Sequence, residues 1–248
     1  FSICQEDVPE PSDGEFRVKS AYISLDPAMR GWMNEGKSYV EPVGIGDVMR
    51  GFAAGHVEAS RHPGFKEGDA VTGLFGVQEY GISDGQGVSV ADTSLAPLQT
   101  WVGGLGMPGL TAYFGLLEVA GARKGDTVVV SAASGAVGQV VGQIGNIIGC
   151  RTVGIAGGPE KCAFLTGELG FDAAVDYKAG NLKNDLETAC PDGIDVNFEN
   201  VGGDIFDTVL GQMNRFGRVA VCGLISMYNT TELPSGPKNI RAVLVMRL

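Results

Sequence analysis

The run Asp126-Thr127-Val128-Val129-Val130-Ser131 passes directly into Ala132-Ala133-Ser134-Gly135-Ala136-Val137-Gly138 and then into a helix-length segment ending at Ile148. A β-branched run of this kind suits a strand buried on both faces, as in a parallel sheet covered by helices. The turn after it has the spacing G-x-G-x-x-G with Ala133 at the first glycine. Gly135 lets backbone approach a pyrophosphate, and Gly138 lets the helix pack tightly on the strand. The helix N-terminus adds free N–H groups and the positive end of its dipole. Glycine supplies 39 of the 248 residues, so a G-x-x-G pair arises by chance about six times and the string alone is weak. Its setting carries the argument: a β-branched strand before, a helix after, and a second strand about twenty residues on. The ligand expected is a dinucleotide, with S-adenosylmethionine as the runner-up.

The remaining second half keeps the same rhythm. Strands are expected over 151–156, 173–176, 194–199 and 217–222, with helices over 159–169, through the 180s and over 204–214. Strand and helix alternating in this way specify a doubly wound parallel sheet. The first hundred residues read differently, as short strands broken by turns. Residues 16–19, 55–59 and 77–80 alternate apolar and polar side chains, and 64–71 reads as a turn feeding a strand. A small β-barrel or sandwich is expected there. The fold class is therefore α/β, with a β domain over 1–104 and a Rossmann domain over 105–248.

Composition narrows the partners. The net charge of −11 argues against a nucleic-acid backbone and against an anionic membrane surface. No apolar run is long enough to span a membrane, and no signal-peptide pattern opens the chain. The five cysteines, Cys4, Cys150, Cys162, Cys190 and Cys222, are far apart with no C-x-x-C pair. They read as reduced thiols of a cytoplasmic protein, with Cys222 ending a buried strand. His56 and His62 are the only histidines, too few and too scattered to expect a zinc site, so no metal is expected. Gly55-His56 superficially resembles a Gly-His-Glu zinc motif, but Val57 intervenes before Glu58 and Gly55 is expected in a turn. The chain begins at Phe1 and stops inside the apolar stretch 240–248, and is expected to be part of a longer protein, poorly active as it stands.

The end of the second strand bears on which dinucleotide is bound. An NAD enzyme usually places Asp or Glu there for the ribose hydroxyls. Here the strand ends Ile155-Ala156-Gly157-Gly158, and the first carboxylate is Glu160, followed by Lys161. The missing acid, the nearby lysine and Tyr177 after the third strand favour the 2′-phosphate of NADP.

Several further motifs occur in order: Ser24-Leu25-Asp26-Pro27-Ala28-Met29-Arg30-Gly31, Val48-Met49-Arg50-Gly51, Met107-Pro108-Gly109-Leu110-Thr111-Ala112-Tyr113, Asn200-Val201-Gly202-Gly203, and Cys222-Gly223-Leu224-Ile225-Ser226-Met227-Tyr228-Asn229. With these, essentially the whole chain resembles the zinc-independent medium-chain dehydrogenase/reductases. The branch resembled is the leukotriene hydroxydehydrogenase, prostaglandin reductase and curcumin (alkenal double-bond) reductase group. The resemblance implies a GroES-like β-barrel domain beside the Rossmann domain, with the active site in the cleft between them. It implies NADPH-dependent reduction of the C=C bond of α,β-unsaturated aldehydes and ketones, and a homodimer when full length.

Family cofactor positions fall on Gly135, Ala136, Val137 and Gly138, on Lys161 and Tyr177 at the 2′-phosphate, and on Asn200. They also fall on Cys222, Gly223, Ile225, Ser226 and Tyr228, beside the ribose and nicotinamide, and on Thr111. Hydride delivered to the β-carbon drives charge onto the carbonyl oxygen, and a hydroxyl donor there stabilises it. Tyr228 is the catalytic candidate. Ala28 stands where many relatives carry Tyr, so a pocket wall is shorter, and Trp32 and Tyr39 are candidates to fill it. A short-chain dehydrogenase is excluded, because no tyrosine has lysine four residues later. A quinone oxidoreductase and a non-catalytic NADPH-binding sensor remain as alternatives.

Overall fold

The computed structural model describes residues 1–232 and 234–248. It divides into two compact units, Phe1–Met107 and Pro108–Leu248.

The first unit is built on one antiparallel sheet. Strands β1 (Phe16–Ile23), β2 (Ala53–Ser60), β3 (Ala70–Gly73), β4 (Tyr80–Ser83) and β5 (Ser89–Val90) lie in the order β4-β1-β2-β3-β5. The alternation at the start of β1 is expressed directly: Phe16 and Val18 are fully buried while Lys19 faces solvent. They meet Val57, Val71 and Phe75 in the core of the sheet. Helix α1 (Ala28–Trp32) follows Pro27 and buries Met29 and Trp32. The Trp32 indole N–H donates to Tyr39 Oη at 3.0 Å.

Two local expectations in this unit are corrected. Gly55 is not in a turn but in the middle of β2, paired with Ser20 of β1. Residues 77–79 form a bend instead of a strand. Gly76 turns left-handed at φ +80°, and the Gly76 and Val77 amides bond the carbonyls of Gly51 and Met49 at 3.0 and 2.8 Å. Pairing with β1 starts only at Tyr80.

The division falls at the first residue of α2 (Met107–Tyr113), which continues as a π-helical stretch, Phe114–Val119, in the second unit. The Rossmann elements follow: β6 (Thr127–Ser131), α3 (Ala136–Ile147), β7 (Arg151–Ala156), α4 (Pro159–Gly167), β8 (Ala173–Asp176), α5 (Leu182–Ala189), β9 (Ile194–Glu199), α6 (Gly203–Leu210), β10 (Met213–Val221) and the short α7 (Arg241–Val245). The sheet order is β10-β9-β6-β7-β8, with every neighbouring pair parallel.

All of β6 is buried, and alternate side chains serve opposite faces. Val128 and Val130 join Leu116, Val141 of α3 and Phe171 on one side. Val129 joins Leu186 of α5 and Ile205 and Val209 of α6 on the other. Each fully buried valine contributes about 1.5–3 kcal/mol, so the β-branched run is held in place from both faces.

The expected helix over 204–214 ends earlier, at Leu210. Met213 is almost wholly buried and pairs with Ile194 as the first residue of β10. Packing of that side chain outweighs continuation of the helix. β10 is irregular between Met213 and Arg218, where Phe216 takes φ +62°. Its end is also exposed, with Val221 at 58% and Cys222 just beyond the strand. The expectation that Cys222 ends a buried strand is therefore corrected.

Candidate functional site

Strand order reverses about β6, with β7 on one side and β9 on the other, and the crevice outside the carboxyl ends at such a point is where open α/β sheets bind ligands. A cavity of about 780 Å³ lies there, lined among others by Ser134, Gly135, Gly157, Lys161, Tyr177 and Ser226.

The loop from β6 to α3 makes one wall. Ala132 takes the left-handed conformation, φ +48°, and its carbonyl accepts the Gly135 N–H at 2.9 Å. The strained position is therefore Ala132, while Ala133, aligned with the first glycine, is a fully buried packing residue. Gly135 caps α3 from an extended conformation with no side chain on the helix end. The first-turn amides of Ala136 and Val137 have no carbonyl within the helix to bond. A Cβ on Gly138 would press on the Ala132 carbonyl and stand 2.8 Å from Ala133 Cα. Only a bare backbone lets α3 sit this close.

The second wall comes from the ends of β7 and β8. A Cβ on Gly157 would lie 2.9 Å from Tyr177 Cε1 and 2.9 Å from Lys178 Cε. A phenol and a lysine thus close over Gly157. Lys161 stands in the first turn of α4, where the helix dipole disfavours a cation and favours an anion. Asp176 joins the two turns: its Oδ1 accepts the Gly158 N–H at 2.8 Å and the Lys178 N–H at 2.9 Å. These backbone hydrogen bonds hold its carboxyl below the usual carboxylate range.

The third wall rests on β9. Asn200 donates its side-chain amide to the Ser131 carbonyl at 2.7 Å and its backbone N–H to Ser131 Oγ at 2.8 Å. The segment after β10 is stitched to this turn. The Ile225 N–H meets the Asn200 carbonyl at 3.1 Å, and the Ser226 N–H meets the Val201 carbonyl at 3.0 Å. Ser226 Oγ donates to the same Val201 oxygen at 2.6 Å. Tyr228 folds back on its own loop, its phenol oxygen accepting the Leu224 N–H at 3.3 Å. That leaves the phenolic O–H as an available donor.

The structure brings Gly135, Lys161, Tyr177, Ile225 and Ser226 onto one cavity. Ala136, Val137 and Gly138 continue from its rim along α3. Asn200, Cys222, Gly223, Tyr228 and Thr111 do not line it; Asn200 ties the turn after β9 to Ser131, and Thr111 sits on α2. Although Cys222 reaches the surface, the protein around its thiol pushes the pKa up. Burial also pushes Cys150 and Cys190 up to about 11. The wall residues Phe164, Val201 and Ile205, and the carboxylates Asp176 and Glu199, were not found from the sequence.

The cavity is suited to a phosphorylated dinucleotide. It combines unpaired helix-end amides, a cation in a first turn and a strand end that carries glycine where Tyr177 and Lys178 close in.

Residues 1–90 match the family described as the N-terminal domain of oxidoreductase, and residues 136–247 match the family described as zinc-binding dehydrogenase. The chain is 48% identical over 242 residues to the NADPH-dependent curcumin reductase of Escherichia coli, covering 97% of this chain and 70% of that protein. It belongs to the zinc-independent medium-chain dehydrogenase/reductases. A second relative in this group is the NADP(+)-dependent 2-alkenal reductase of Nicotiana tabacum, 45% identical over 245 residues, covering 97% of this chain and 71% of the relative. Among solved structures, CurA from Vibrio vulnificus in complex with NADPH superposes with a TM-score of 0.92 at 47% identity, over 99% of this chain and 74% of that one.

One matched family of this medium-chain reductase carries zinc in its description. Among the described residues, however, no group of three or more His, Cys, Asp or Glu is placed to hold a metal ion. His56 is exposed on β2, and His62 Nδ1 accepts the Gly64 N–H at 2.9 Å in a turn.

Proposed function

We propose that this medium-chain reductase uses NADPH to reduce the C=C bond of α,β-unsaturated aldehydes and ketones. The observation that carries the cofactor half is the second wall of the cavity, where Tyr177 and Lys178 fill the space beside Gly157 and Lys161 faces the cavity. That wall presents no ribose-binding carboxylate and offers charge to a 2′-phosphate. The amides at the start of α3 take the pyrophosphate, and Ile225 and Ser226 bound the far end. The carbonyl chemistry is supported by the kinship to curcumin and 2-alkenal reductases.

NADPH, when bound, supplies the hydride for the substrate β-carbon, and a proton from water completes the saturated product at the α-carbon. The chain's own task is to hold the carbonyl oxygen as negative charge develops on it, which a preorganised O–H donor does at no reorganisation cost. We assign this to Tyr228, whose oxygen is fixed from behind by the Leu224 N–H. Thr111, Cys222 and Gly223 complete the surroundings of the cofactor in this reading. The first unit serves as the substrate domain, the full-length protein is a homodimer, and its site of action is the cytoplasm. No helix among the described residues is long and apolar enough to cross a membrane.

The test is NADPH consumption by the full-length protein with a 2-alkenal, a long-chain enone and a quinone, repeated with NADH. The reading predicts NADPH-specific loss with the enal or enone and a saturated carbonyl product. Turnover with the quinone alone, or NADPH binding with no acceptor-dependent turnover, would refute it.

A further inference from the structure

Glu199 is fully buried at the end of β9, as are Ser131 on β6 and Asn197 two residues before it. Its Oε1 takes three donors: Ser131 Oγ at 2.8 Å, the Val201 N–H at 2.7 Å and the Gly202 N–H at 2.8 Å. Its Oε2 accepts from Asn197 Nδ2 at 3.0 Å. Its backbone carbonyl accepts the amides of Cys222 and Gly223 at 2.9 and 3.1 Å. One residue therefore gathers the end of β6, the turn into α6 and the start of the segment after β10. An acceptor-only carboxylate is the side chain that can receive four converging donors.

This cluster lies behind one end of the cavity. Val201, Ile225 and Ser226 form that end, and each is tied by a hydrogen bond to the turn that Glu199 holds. The opposite end, with Lys161 and Tyr177, depends on Asp176 instead. The two ends of the cavity thus have separate supports.

We propose that Glu199 is a positioning residue that sets the Val201–Ile225–Ser226 end of the cofactor cavity without touching the cofactor. The proposal rests on the NADPH reading above. Asn197 gives it a sharper form. Its Oδ1 is buried and has no hydrogen-bond partner, because the amide must aim its NH2 at the carboxylate. In Glu199→Gln the amide oxygen can keep its three donors while the new NH2 group faces Asn197. Rotating the Asn197 amide then brings its idle oxygen onto that NH2. Glutamine should therefore be tolerated, whereas alanine leaves the Ser131, Val201 and Gly202 donors without an acceptor in the protein interior.

The experiment compares the affinities of NADPH and of adenosine 2′,5′-bisphosphate, which spans the Lys161–Tyr177 end and the α3 amides but has no group for the Val201–Ile225–Ser226 end, by calorimetry on the full-length protein. The expected result for Glu199→Ala is a roughly 10–100-fold loss for NADPH, the scale of a lost hydrogen bond to a charged group, with the bisphosphate within about threefold of wild type. Glu199→Gln should restore NADPH binding to within about threefold. If Glu199→Ala does not fold, Ser131→Ala gives the same test: NADPH weakens and the bisphosphate does not.

Equal losses for both ligands, or no loss for either, would overturn the positioning role while leaving the NADPH reading intact. A glutamine variant as impaired as the alanine variant would also overturn it. Wild-type protein that binds neither ligand would overturn the cofactor reading and this inference with it.

Discussion

The Gly158 amide and the Asp176 carboxylate meet at 2.8 Å, joining the turn that starts α4 to the end of β8. Lys161 and Tyr177, which flank this contact in sequence, consequently face the same cavity. Since backbone hydrogen bonds lower the Asp176 pKa, its contribution to stability is full above the ordinary aspartate value of about 3.9. It fades as pH falls through the lower folded-state value. Asp176→Ala should melt below wild type at pH 7, and the gap should begin to narrow below about pH 4. Thermal melts of both proteins from pH 7 to pH 3 check this; a gap that stays constant into acid would contradict it.

Lys161→Ala should weaken NADPH binding by about 10–100-fold, as expected for a lost charge-assisted contact, with little change for NADH. Because Lys161 opposes the helix dipole in the first turn of α4, removing it should leave the melting temperature of the ligand-free protein unchanged or slightly raised. Fluorescence titration with both nucleotides, beside a thermal melt, separates the two effects. Equal loss for NADPH and NADH would refute the phosphate assignment.

Gly138→Ala should cost about 1–3 kcal/mol or more, the range for overpacking a close contact. The added methyl meets backbone of Ala132 and Ala133, which cannot swing aside as a flexible side chain could. Urea denaturation measures it, and an unchanged midpoint would show that α3 can move off the β6 turn without penalty.

Tyr228→Phe should lower kcat by about 10–10³-fold, up to the loss of one oxyanion donor. The phenol oxygen does not line the cavity, so NADPH affinity should hold. A variant at full rate would remove Tyr228 from the mechanism.

The legible part of this fold was what short stretches of sequence decide. The run through β6 names its own burial, because a β-branched run apolar on both faces suits a strand covered on both sides. The glycine turn after it marks the start of α3, and the lack of an acid after Ala156 pointed to the 2′-phosphate side. The illegible part was decided at a distance. Ser131 and Glu199 are 68 residues apart, and nothing in the local pattern of Ile194–Glu199 distinguishes a buried carboxylate from a strand-end surface charge. Asp176 reads as an ordinary polar strand end until Gly158 is brought to it, 18 residues away in sequence. The early end of α6 was hidden in the same way, since Met213 gains more from the core than from another helical turn. Ala132 could have been suspected, because a phosphate turn needs a left-handed residue somewhere and the usual glycine was missing.

Isotope transfer reads directly where the hydride goes. The full-length protein should be run with a 2-alkenal and each of the two C4-deuterated epimers of NADPH, and the product examined by NMR. One deuterium should appear on the β-carbon of the saturated aldehyde, delivered from one epimer only. Deuterium on the carbonyl carbon, with the double bond retained in an allylic alcohol, would contradict it.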